Sequence, residues 1–255
     1  MNTYVITPAA GKRLIAKAMA QHPAVQSALT SGTLVIVAGT TNGLVAEEIL
    51  AQQGIAESLN RAGFMRGVTV PPSRRSDETG RLTEKAPFPG DVVITQGEWR
   101  QGQTIFDVAE MLGEGDIILK GANALDLISR RAAVLVGHPQ GGTAIAAIQA
   151  HIGRRVGLIL PVGLEKRVSD DLDHLAGLLN VSGAKGPRLL PLPGEVFTEV
   201  EAIELLTGAT ADLVAAGGVY GAEGSVWLGI SGDPEHEKAA QNLIDLVADE
   251  PAFTF

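Results

Sequence analysis

The sequence contains no cysteine, which removes disulfides, thiolate metal sites and cysteine nucleophiles together. It is also short of positive charge. Twenty Lys and Arg face 29 Asp and Glu, a formal net charge of −9. Phosphate backbones and anionic membrane surfaces require a basic face, so neither nucleic acid nor a membrane is an expected partner. No apolar run approaches the roughly 18 residues of a membrane span. The first ten residues lack a basic stretch followed by a long apolar one, so no signal peptide is read and a cytoplasmic location is expected. What remains is a chain of 255 residues, 45% hydrophobic, enough to bury a large core. Its 31 glycines and 13 prolines are scattered without a period.

Thr7 followed by Pro8 reads as a helix start, with Leu14, Ile15 and Ala18 at helical spacing and a break at Pro23. The clearest unit follows. Residues 33–38 are a near-uniform apolar strand, residues 39–43 a Gly-Thr-Thr-Asn-Gly turn, and residues 44–50 an amphipathic helix. Further strands are predicted at 91–95, 116–119, 132–136 and 156–160, with helices at 104–112 and 143–151. Continuous apolar strands alternating with helices predict an α/β fold. The expected form is doubly wound, a mostly parallel sheet with helices on both faces. Residues 1–187 form this ligand-binding domain, with a polar excursion near 71–90 that is a lid or simply a mobile loop. From 188 to 255 the rhythm changes to a small α+β element acting as a lid or extra layer, with strands at 211–216 and 225–231 and a last helix at 234–247.

Four places carry candidate chemistry. Gly39, Thr40, Thr41, Asn42 and Gly43 lie where a strand enters a helix, so backbone N–H groups and the helix dipole favour an anion there; an ordinary tight turn is the other reading. Lys120 and Asn123 follow a buried strand, where ligands sit in open parallel sheets. Lys120 suits an anionic substrate and Asn123 a hydroxyl or carbonyl, while Asp126 is either a base or a cap for the segment after it. His138 precedes Gly141, Gly142 and Thr143 at another strand-to-helix junction. It is a candidate general acid or base, or a histidine bonded to a nearby carbonyl, and the glycines form a second anion loop. Glu165, Lys166 and Arg167 follow a strand and face either a bound phosphate or solvent, and Glu195, Glu199 and Glu201 cluster at a helix start, where either one of them faces a site or the dipole alone explains them. The four glycines of 217–224 read as a hairpin connection. No metal-ligand spacing is present, and no cofactor is expected.

The order of these motifs resembles a known superfamily. A strand–GTTNG–helix unit precedes DIILKGANALD, then VLVGHPQGGTAIAAI, then VGLILPVGLEKRV. This order is similar to the scaffold shared by ribose-5-phosphate isomerase, glucosamine-6-phosphate deaminase, CoA transferases, methylthioribose-1-phosphate isomerase and the subunits of translation initiation factor 2B. The likeness spans roughly residues 8–168. It implies a ligand cleft at the strand ends and a homo-oligomer. The usual catalytic acids are missing: Lys120 and Asn123 stand where the sugar-isomerase loop has aspartates. The resemblance therefore implies a small-molecule enzyme for an anionic, phosphorylated sugar-like or acyl metabolite, such as an isomerase working through an enolate. The alternative is a non-catalytic metabolite sensor or assembly protein on the same scaffold. A dinucleotide-dependent oxidoreductase is disfavoured by the absent Gly-x-Gly-x-x-Gly pattern.

Overall fold

The computed structural model describes residues 1–71, 73 and 87–252. Most of the polar excursion, residues 72 and 74–86, lies outside the described residues, so its reading as a lid or a mobile loop lies there too. The chain opens with a strand the sequence reading lacks, β1 (Asn2–Ile6). Helix α1 (Pro8–Met19) begins where expected: the Thr7 hydroxyl accepts the Ala10 N–H at 3.2 Å and Pro8 opens the first turn. Helix α2 (Pro23–Ser31) starts on the next proline. Then come β2 (Thr33–Ile36), α3 (Thr40–Gln52), the short α4 (Arg61–Phe64), β3 (Val92–Thr95) and β4 (Glu98–Trp99). The helix expected at 104–112 is a single turn, α5 (Ile105–Val108). It is followed by β5 (Ile117–Leu119), β6 (Ala124–Asp126), β7 (Arg131–Val136), α6 (Gly142–Arg154) and β8 (Gly157–Pro161). The last third holds α7 (Leu172–Leu179), β9 (Arg188–Leu192), β10 (Glu195–Phe197), α8 (Glu199–Thr207), β11 (Thr210–Ala216), β12 (Val226–Ser231) and α9 (Pro234–Val247). None of the described helices is long and apolar enough to cross a membrane.

The fold is α/β with a mixed central sheet in the order β10-β8-β5-β2-β3-β4. Strands β10, β8, β5 and β2 are parallel, β3 runs antiparallel to β2, and β4 turns back antiparallel to β3. Leu34, Val35 and Ile36 are fully buried, as a nearly unbroken apolar strand requires. Each such side chain is worth roughly 1.5–3 kcal/mol of burial. Helix α1 packs on α3, α8 and α9, and α5 on α6.

Two smaller antiparallel sheets flank the central one, β1-β12-β11 and β6-β7-β9. The second places β7 differently from the reading of residues 132–136 as a strand of the main parallel sheet. Its apolar side chains are buried, but β7 pairs antiparallel with β6 and β9, and a small core of Ala124, Ala133, Leu172, Ala176 and Leu189 lies among β6, β7, β9 and α7. Buried apolar runs look alike in either sheet, so composition could not tell them apart. Strands after residue 188 join all three sheets: β9 beside β7, β10 beside β8, and β11 and β12 beside β1. The glycine-rich 217–224 segment is the connection of the β11–β12 hairpin.

Connections leaving the adjacent parallel strands β2 and β5 go opposite ways across the sheet. From β2 the chain next joins the sheet at β3, on one side, and from β5 at β8, on the other. A crevice therefore opens beyond their carboxyl ends, the usual ligand position in such sheets.

Candidate functional site

All four parallel strands deliver polar residues to this edge. Residues 39–42 follow β2, Lys120 follows β5, Glu165 and Lys166 follow β8, and Glu199 follows β10. Strand β3 runs the other way, so its beginning rather than its end lies here, and Asp91 immediately precedes it. A cavity of about 630 Å³ opens at this edge. Its described lining carries four cations, Lys12, Arg66, Lys120 and Lys166, against one carboxylate, Glu165.

Two helix N-termini open onto the same cavity, those of α3 and α6. Helices α1, α7, α8 and α9 are each capped by a side chain, from Thr7, Asp171, Thr198 and Asp233 respectively. The α3 and α6 ends have glycine at the cap, Gly39 and Gly141, and no side-chain cap. Their first-turn N–H groups are thus left for a ligand. Gly141 and Gly142 both have positive φ, 80° and 57°, which a side chain would strain. Thr41 and Asn42 line the cavity, and Thr41 Oγ1 and Asn42 Oδ1 are buried without a hydrogen-bond partner among the described residues. Buried polar atoms are almost always paired, so such oxygens suit a donor on a ligand.

Lys120 is partly exposed on the cavity wall. Burial pushes its ammonium down to about 8; Asp91 opposes this, and Arg66 and Lys166 add to it. Asp91 is buried and accepts the Ala38 N–H at 2.9 Å and the Ile105 N–H at 2.8 Å. Burial raises its pKa despite these bonds. It ties the β2 end to α5 and supplies the counter-charge behind Lys120. Across the cavity, Lys12 Nζ donates to Glu165 Oε1 at 2.8 Å. Burial works against the Glu165 carboxylate, but Lys12 and Lys166 outweigh it and hold the pKa low. Lys166 is lowered by its own burial. Behind them Glu199 is buried with Oε2 accepting the Leu164 N–H at 2.9 Å. Burial, aided by the Glu165 charge, pushes it up to about 7.

The sequence-derived candidates separate into three groups. Gly39, Thr40, Thr41, Asn42, Lys120, Asn123, His138, Gly141, Gly142 and Thr143 all line the one cavity. Two of these are also tied into the fold. The Asn42 amide donates to the Val37 and Leu119 carbonyls, clamping the ends of β2 and β5, and Asn123 Oδ1 accepts the Leu135 N–H at 3.0 Å. His138 Nδ1 accepts the Gln140 N–H at 3.2 Å, so the neutral ring carries its proton on Nε2. Gly43 is buried as the fourth residue of α3, facing Phe64 and Met65 rather than the cavity. Asp126 lies outside the cavity. It holds the β6–β7 turn by accepting the Ile128 N–H at 2.9 Å and the Ser129 hydroxyl at 2.5 Å, which corresponds to the local-cap reading rather than the base.

Several residues escaped the sequence reading. Lys12 and Arg66 reach the cavity from α1 and from the segment after α4, where no strand-end signal marked them. Asp91 was visible only as the first residue of a strand. Arg188 donates to the Gly137 and His138 carbonyls at 2.8 and 3.0 Å, fixing the histidine loop from β9.

No protein-family model matches the chain, and neither does any curated protein or solved structure. The site therefore stands on its own geometry.

Proposed function

We propose that the protein is a small-molecule enzyme that binds an anionic metabolite, phosphorylated sugar-like or acyl, at the carboxyl edge of its central sheet. One observation carries the reading: two helix N-termini without side-chain caps open onto a single cavity whose described lining carries four cations and one carboxylate. The N–H groups of α3 and α6 hold the anion, and Lys120 neutralises charge that develops on a neighbouring oxygen. His138, with its proton on Nε2, donates to or accepts from the bound molecule. Isomerisation through an enolate uses this set without a metal. The scaffold inferred is the doubly wound one of the sugar-phosphate isomerase and CoA-transferase superfamily, as a cytoplasmic homo-oligomer. A second reading, a non-catalytic sensor on that scaffold, is favoured by Asn123, whose side-chain oxygen is already engaged by Leu135.

Thermal-shift measurements against sugar phosphates, acyl-CoAs, nucleotides and reduced nicotinamide cofactors test the binding. A ligand at a hundredfold excess over its Kd stabilises the folded state by about 2.7 kcal/mol. Sulfate, whose charge is constant near neutrality, tests the electrostatics by calorimetry. Its affinity is expected to fall as pH rises through and beyond about 8, where Lys120 loses its charge. In Lys120→Met the affinity is expected to be lower throughout and most of that pH dependence lost. A flat wild-type profile would sink the anion role of Lys120. Turnover of a bound ligand that His138→Gln abolishes supports the enzyme; binding without turnover supports the sensor.

A further inference from the structure

Beside the main cavity lies a second pocket of about 330 Å³. Lys12 and Thr40 line both, so these two side chains, from α1 and the first turn of α3, stand between the two spaces. Lys12 marks the junction: its ammonium donates to the Pro8 carbonyl at 3.0 Å and to Glu165 at 2.8 Å, one group lining each space. The chambers differ in chemistry. The main one is cationic. The second is walled by Pro8, Ala9, Leu44, Met65, Pro251 and Ala252. Its charged groups lean acidic. Arg61 pairs with Glu47 and Glu250, Glu250 is also held by Arg13, and Glu223 and Asp249 complete the charged lining. A second anionic group is repelled there, whereas an apolar chain gains burial.

We infer that the ligand is an amphiphile, with an anionic head in the main cavity and an apolar arm that passes Lys12 and Thr40 into the second chamber. The inference rests on the anion site proposed above and narrows its ligand class. A compact sugar phosphate fills only the first space. The polarity of the two chambers also fixes the direction of binding, because the reversed pose sets the anion beside Glu223 and Asp249.

The experiment is a calorimetric series of inorganic, methyl, butyl and hexyl phosphate, run on the whole protein. Each methylene buried in the second chamber is expected to tighten binding roughly threefold to fourfold, so hexyl phosphate should bind at least about tenfold better than methyl phosphate. Ala9→Phe fills the chamber from α1, and Ala252→Trp fills it from the chain that follows α9. Each variant is expected to keep the inorganic phosphate affinity and lose the gain with chain length; the second serves if the first does not fold. Inorganic phosphate that binds with no gain along the series overturns the arm while the anion site stands. A gain that persists in both variants overturns it too, since the chain then goes elsewhere. Failure of every phosphate to bind removes the anion site and this inference with it.

Discussion

Glu199 is where a single residue carries the most consequence. A carboxyl group is held in a buried position by the N–H groups of Leu164 and of Glu199 itself, and the glycine opposite it is required. A Cβ at Gly11 would run into Glu199 Oε1. Its folded pKa of about 7 lies above the ordinary 4.5, so the folded state binds the proton more tightly than the unfolded chain does. The resulting stability is fully present below about 4.5 and is lost as pH rises through about 7. Glu199→Gln removes the titration. The thermal midpoint of the variant, measured against wild type, is expected to shift in the variant's favour between pH 5 and pH 8. An unchanged difference would mean that Glu199 does not ionise in that range. In the sequence Glu199 is one of three clustered acids at a helix start, and nothing local separates a site-facing member from one that the dipole explains. Its burial depends on Leu164 and Gly11, 35 and 188 positions away along the chain, and no local pattern encodes that.

At the scale of elements, α2 also starts without a side-chain cap, on a proline, but the starts of α3 and α6 join a glycine at the cap to a place on the cavity wall. They were also the most legible part of it, because a glycine-rich loop between an apolar strand and a helix declares both its geometry and its vacant N–H groups. Gly141→Ala tests one of them. The substitution imposes a left-handed conformation on alanine and drives a Cβ into Ile145. A cost of about 1–3 kcal/mol is expected, read as a lower urea midpoint with an unchanged slope, together with weaker sulfate binding from the displaced turn. A stability loss with intact sulfate affinity would separate the loop's structural duty from its ligand duty. Pairing partners were what the sequence withheld. β7 reads like a main-sheet strand and belongs to another sheet, and β3 reads like its neighbours but runs backwards. That reversal brings Asp91 to the ligand edge behind Lys120. Strand direction is fixed by tertiary packing, so a one-dimensional pattern is blind to it.

Across the whole molecule, Arg13 joins distant parts of the chain. Its guanidinium takes Glu250 through two nitrogens at 2.8 and 3.0 Å, Glu48 at 2.9 Å and Glu47 at 3.2 Å, binding α1 to α3 and to the segment after α9. Arg13→Met removes charge-assisted bonds from a largely buried group, and Lys17 and Arg61 still serve Glu48, Glu47 and Glu250. A loss of about 2 kcal/mol is expected in urea unfolding, smaller than for a carboxylate left wholly unpaired. Hydrogen exchange is expected to rise first at residues 248–252, which Arg13 holds against α1. Comparable exchange in variant and wild type there would show that the segment is held by packing alone.

The sheet that carries β1 adds a consequence in time. Among the described residues β1 pairs only with β12, and some 220 residues separate Ile6 from Val226. On a ribosome adding roughly 5–20 residues per second, the nascent β1 waits about 10–40 s for its edge to be covered. β1 is thus secured only after its whole sheet has been made, and until β12 emerges nothing in that sheet covers its edge.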